Sequence, residues 1–150
     1  MSEIEVPELA LSMIQPMGTA LVRGWKPIEN RKWKPWPQVI GKLIAIHASA
    51  KYDAEYANFI ERVHGSVPHR SATTQSAIIG VARVVTYVVS PMLELQDERE
   101  RAWFTGPFGW RIADAREIEP IPCKGFHGLW KIPDEKRLAL ASRLEEASRG

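Results

Sequence analysis

The sequence predicts an α+β domain, a small and mostly antiparallel β-barrel with peripheral helices. Its β-rich apolar runs and helical periods are mixed without alternating as strand–helix–strand units, which argues against a doubly wound sheet. The 150 residues are the usual length of one domain and enough to bury a continuous core. The hydrophobic fraction of 45% and charged fraction of 25% leave no room for a long disordered tract.

The elements follow in order. Leu9 to Met13 reads as a short strand, and Pro16 opens a helix carrying Met17, Ala20 and Leu21 before Gly24. Lys26 to Arg31 has no helical period and is read as extended, leading into the Lys34-Pro35-Trp36-Pro37 loop. Gly41 to Ala48 reads as a buried strand. Tyr52, Tyr56, Phe59, Ile60 and Val63 recur at helical spacing, with Asp53 at the start and Gly65 beyond the end. After a polar loop from Ser66 to Gln75, Ala77 to Val89 reads as a long strand with Gly80 as a bulge. Past the charged stretch from Glu94 to Arg101, Trp103-Phe104-Thr105 and Gly109 to Ile118 read as two strands joined by a Gly-Pro turn. Pro120-Ile121-Pro122 lacks two amide donors and is excluded from a central strand. A tail through Gly125 and Gly128 then leads to a helix from Pro133, with Leu140, Leu144 and Ala147 on one side.

Composition excludes several classes of function. One cysteine, Cys123, cannot form an internal disulfide, so nothing asks for an oxidising compartment. The acidic N-terminus lacks the basic and apolar regions of a secretory leader, and no apolar run approaches ~18 residues. The expectation is a cytoplasmic protein without a membrane partner. Neither a Walker-type phosphate loop nor a dinucleotide fingerprint is present, so no cofactor is implied. His64, His69, Cys123 and His127 lack paired-ligand spacing, so no metal is expected.

The formal charge of +2 is small but unevenly placed. Arg23, Lys26, Arg31, Lys32, Lys34 and Lys42 face one acid, Glu29, between Val22 and Lys42. With Trp25, Trp33 and Trp36 interleaved, this stretch suits phosphate attraction with base stacking; it equally suits a solvated loop over buried tryptophans.

In order and spacing, Leu11-Ser12, Gln15-Pro16, Gly24-Trp25-Lys26-Pro27-Ile28-Glu29-Asn30-Arg31 and Gly41 to Ser49 resemble the ASCH family. The resemblance covers about residues 9–118 of a single 1–150 domain, with the tail and helix of 119–150 packing on it. It implies a PUA-like barrel whose cleft, beside the Lys-Glu-Arg segment, holds RNA or a nucleotide-like ligand. Some relatives resembling this pattern are amidohydrolases acting on an acylated cytosine nucleoside, and others are described as ribonucleases. In the amidohydrolase branch a threonine nucleophile stands where this chain has Glu29, while the lysine corresponds to Lys26. A carboxylate cannot replace that hydroxyl without a different intermediate, so the threonine mechanism does not transfer.

The residues themselves frame the candidate site. Strict strand alternation puts Lys26 and Glu29 on opposite faces, and they meet only if Pro27 or a bulge breaks it. If the protein is an enzyme, Glu29 is the candidate base and Lys26 the charge stabiliser; otherwise they form an ion pair at a barrel mouth. Ser12 and Gln15 are candidates for anion binding near a helix start. His47 and Ser49 stand at the end of a central strand as possible ligand partners, against the plainer reading of His47 as a satisfied semi-buried ring. Trp25, Trp103 and Trp110 are the stacking candidates, with Arg31 as an electrostatic contact. The reading favours RNA or nucleotide binding; the alternatives are a small hydrolase and a protein-interaction adaptor using the Pro-Trp loop and the last helix.

Overall fold

The computed structural model describes residues 3–89 and 97–149; Glu94 to Gln96 of the charged stretch lie outside the described residues. Strands β1 (Leu9–Gln15), β2 (Ile28–Arg31), β3 (Leu43–Tyr52), β4 (Ala77–Val88), β5 (Phe108–Pro122) and β6 (Leu129–Lys131) form one sheet ordered β2-β5-β4-β3-β1-β6. β1 and β3 run parallel, and the other neighbours are antiparallel. Helices α1 (Met17–Val22), α2 (Ala54–His64), α3 (Glu98–Trp103) and α4 (Asp134–Arg149), with two short 3-10 helices at Pro37–Val39 and Arg70–Ala72, complete the described elements. No helix among the described residues is long and apolar enough to cross a membrane.

The mixed α+β architecture is as expected, with β2 and β6 as the two ends of the sheet ladder. The sheet nevertheless bends enough for the Arg31 guanidinium, at the end of β2, to donate to the Ser12 carbonyl on β1 at 2.8 Å. Bulges supply the bend, since an extra residue kinks its strand and increases its twist. Both neighbours of β4 break register beside Ile79, against Gly80. Glycine is required there: a Cβ on Gly80 would collide with the Arg116 carbonyl and the Val22 side chain.

Not every helix is peripheral. α1 touches β1, β3, β4 and β5, and Gly18 to Val22 are all buried. Its small residues let it lie close to the sheet, where Leu21 and Val22 join Ile44, Ile46 and Trp110 in the core. On the opposite face, Leu140 and Leu144 of α4 pack with Ala10, Ile78 and Trp130. A third cluster seats α2 and α3 through Ile60, Trp103 and Ile28. Asp53 caps α2 by accepting from the Glu55 and Tyr56 amides, and Gly65 ends it in the left-handed region at φ 102°.

Two segments correct the sequence reading. Trp103 ends α3 instead of starting a strand, because Asp97 caps a helical turn by accepting from the Glu100 amide and Trp103 turns inward beside Glu100. Pro120-Ile121-Pro122 does belong to β5. β2 pairs only with residues Phe108 to Arg111 of that strand, so its proline-bearing end has β4 on one side alone. The Pro122 carbonyl accepts from the Lys136 ammonium, while the Cys123 amide turns to the Ser76 carbonyl. The missing proline amides therefore fall on the unpaired side, where strands tolerate them.

Gly80→Ala is expected to destabilise the fold by roughly 1–3 kcal/mol or more, the cost of overpacking against atoms that cannot withdraw. A urea titration reading the shift in midpoint at constant slope checks this.

Candidate functional site

The segment before β2 leaves α1 by a tight turn in which the Trp25 and Lys26 amides both donate to the Ala20 carbonyl. Lys26 therefore lies ahead of the strand and is free of its alternation. Its ammonium turns back to donate to the Ile28 carbonyl and to Glu29 Oε1, the latter at 2.8 Å. Glu29 and Arg31 do obey the two-residue period and share a face; Arg31 Nε donates to Glu29 Oε2 at 2.7 Å. Both carboxylate oxygens are thus held by cations, and Arg31 continues to the Ser12 carbonyl. The Lys26 ammonium also sits 5.9 Å from the Trp103 ring centroid.

Lys26 and Glu29 are 3% and 5% exposed, so solvation cannot hold their charges and each depends on the other. Burial pushes the Lys26 ammonium below its ordinary pKa, with Glu29 opposing the shift. Burial by itself would raise Glu29, but Lys26 and Arg31 outweigh it and hold the carboxyl below its ordinary value. The chain carries one negative and two positive charges, and it is a cationic feature despite its central carboxylate.

This chain forms one wall of a cleft of about 760 Å³. Of the sequence candidates, Ser12, Lys26, Glu29, Arg31 and Ser49 line it together. Lys32 and Lys51 add charge, and Glu29 is the one acid among its lining residues. Trp33 and Tyr56 supply the aromatic surface. Trp33 is half-buried, packed edge-on against Trp110 at 5.0 Å between ring centres, and Tyr56 is 39% exposed.

Other candidates are placed elsewhere. Trp103 and Trp110, expected as stacking residues, are 2% and 0% exposed and belong to the core. Trp110 instead steadies the cleft by donating from its indole to the Trp33 carbonyl at 3.1 Å. Trp25 does not line the cleft; its ring stacks on His64, with Arg23 over it. The Gln15 side chain is fully buried and engaged, accepting from the Thr19 amide and donating to the Thr74 carbonyl, so it caps α1.

His47 is likewise built into the scaffold. Its Nε2 lies 2.6 Å from the Cys123 carbonyl and must donate to it, since a carbonyl only accepts. Nδ1 is then left to accept from Ser12 Oγ at 3.3 Å, while the Trp130 indole donates to that same hydroxyl at 2.9 Å. Burial lowers the His47 pKa and so favours the neutral ring, whose tautomer the Cys123 carbonyl selects. Gly125 leaves room for the ring, which a Cβ would strike.

Trp33 was visible in sequence as one of the tryptophans interleaved among the basic residues. Tyr56 was visible only as a member of the α2 period. Asn30 stood in the Gly24 to Arg31 motif without a role of its own: its Oδ1 accepts from the Thr105 and Gly106 amides and its Nδ2 donates to the Trp103 carbonyl, which fixes the turn bordering the cleft. Among the described residues no group of three or more His, Cys, Asp or Glu is placed to hold a metal.

The buried pair sets a pH dependence. Because the folded pKa of Glu29 lies below its ordinary 4.5, its contribution is fully present above that value and is lost as pH falls through the lower native one. Glu29→Gln, which leaves Lys26 buried without a counter-charge, is expected to cost roughly 3–5 kcal/mol near neutral pH. The deficit should shrink on acidification as wild type loses the same charge. Urea unfolding of both proteins across that range tests it; parallel stability curves would contradict it.

No family model matches the chain, and no curated protein does. Among solved structures, the chain resembles the ASCH protein of Zymomonas mobilis at 19% identity and a TM-score of 0.52, over 88% of this chain and 93% of that one. Two single-substitution variants of the same protein align with TM-scores of 0.55 and 0.54, again at 19% identity, covering 90% and 92% of this chain and 96% of each of theirs. At that identity the likeness speaks for architecture, and on it the chain has an ASCH-like fold.

Proposed function

We propose that the cleft between β1, β2, the end of β3 and α2 recognises single-stranded RNA or a nucleotide, on a sheet curved into a PUA-like barrel. The observation that carries this reading is the cleft's own composition: Arg31, Lys32 and Lys51 border it with Trp33 and Tyr56, and its one acid is already neutralised. Exposed cations attract phosphate by releasing counterions, and aromatic faces stack any base. Lys26 holds the chain together from within, while Arg31, tied to both Glu29 and Ser12, presents a fixed guanidinium at the wall. The ASCH-like fold supports the same reading through the family's implied use of such a cleft. A cytoplasmic location fits it.

The hydrolytic reading rests on the placement of Lys26 and Glu29 beside the same cleft. It ranks second for a physical reason. A general base needs a pKa near the working pH, whereas Lys26 and Arg31 hold Glu29 below its ordinary value against the opposing effect of burial. Acylated nucleosides and labelled RNA are the substrates to try; turnover that disappears in a folded Glu29→Gln protein would promote this reading.

Lys51→Ala and Lys32→Ala alter exposed residues and should leave the fold intact. Each is expected to weaken binding of a short RNA oligomer and, where it removes a phosphate contact, to lower the slope of log affinity against log salt by about 0.7. Fluorescence titrations at several salt concentrations measure both quantities. Unchanged affinity and slope in both variants would place the ligand elsewhere.

A further inference from the structure

We infer that the groove takes a strand of at least two nucleotides, because a second hollow beyond Tyr56 continues the first along α2. This rests on the nucleotide-binding reading of the cleft and specifies its ligand. The second hollow measures about 450 Å³ and shares Met17, Asn30, Tyr56 and Thr105 with the first. Each hollow has the volume of a site for one small ligand, so the pair exceeds the needs of a single nucleoside.

The shared border is rigid. Asn30 spends its carboxamide on the Thr105 and Gly106 amides and the Trp103 carbonyl, fixing the turn that flanks both hollows. Opposite it, Tyr56 stands on the first turn of a capped helix with its side chain 39% exposed. Beyond it lie Phe59, three residues on and so on the same helix face, and the exposed Arg62, whose guanidinium carbon sits 5.4 Å from the Phe59 ring centre. Tyr56 to Arg62 spans about 9 Å of helix, against about 3.4 Å between successive nucleotides along a stacked strand. The helix face therefore offers room for two or three nucleotides.

The two hollows differ in character. The first is strongly cationic, whereas Arg62 in the second is matched by Glu55. Phosphate attraction therefore concentrates at Arg31, Lys32 and Lys51, and the second hollow serves as a stacking platform in which Tyr56 and the Arg62–Phe59 pair meet the next base.

The test compares adenosine monophosphate with a single-stranded RNA tetramer of adenylate by calorimetric titration at low salt, using wild type and Arg62→Ala. Circular dichroism confirms that the exposed substitution preserves the helix. The tetramer is expected to bind wild type at least about tenfold more tightly than the mononucleotide, and this preference should fall by threefold or more in Arg62→Ala. Equal affinity for the two ligands, or a preference untouched by the substitution, overturns the second subsite while leaving the cleft's nucleotide binding intact. Failure of both ligands to bind overturns the cleft reading and this inference with it.

Discussion

The buried ion chain from Lys26 through Glu29 to Arg31 is the constraint on which the rest of this molecule turns. Neither Lys26 nor Glu29 can be placed in a nearly dry environment alone, and together they still expose too little to water to be held by solvation. Arg31 resolves the problem by taking the second carboxylate oxygen and carrying the chain outward to the Ser12 carbonyl. One electrostatic requirement thereby links the short strand β2 to β1, although the two share no backbone ladder. The same chain supplies a wall of the cleft. Architecture and cleft consequently rise or fall together, and a substitution within the ion chain reports on both.

That coupling separates the roles of the cations. Lys26 has its ammonium committed to Ile28, Glu29 and the face of Trp103, and it stabilises from inside. Arg31 is partly exposed, and its contacts to Glu29 and to the Ser12 carbonyl restrict its side chain at the cleft wall. Lys32 and Lys51 are exposed, so the field of their charges at the cleft is screened by salt. A position in the basic segment does not by itself reveal which kind of cation a residue becomes.

The legible parts of the fold were those with local physical causes. Asp53 and Gly65 bracket α2 because capping and left-handed geometry are properties of single residues. Gly80 marked a bulge because a glycine inside a strand pattern is itself the signal, although what demands it, the Arg116 carbonyl and Val22, is tertiary. Long-range pairing was less legible. The prolines at 120 and 122 were excluded from a central strand and read as an irregular tail, because sequence does not show that β2 stops short of them and leaves that side of β5 unpaired. β6 was missed because three residues in a glycine-bearing tail carry no period of their own; β1 makes them a strand.

The candidate site follows the same division. Glu29 and Arg31 were placed on one face by strand alternation, but whether Lys26 joined them depended on where β2 begins, and it begins two residues later. The aromatic residues show why clustering in sequence is a poor guide to a ligand surface. Trp103 and Trp110 are close in the chain and rich in apolar area, and that is the reason the core claims them. Trp33 lines the cleft half-buried, with its backbone carbonyl held by the Trp110 indole and its ring packed edge-on against Trp110. Tyr56 stays partly in solvent because its helix buries Ala57 and Ile60 instead. The aromatics that line the cleft are thus those left over once packing has been satisfied. Buried Trp110 shapes the cleft indirectly, by holding the backbone carbonyl of Trp33.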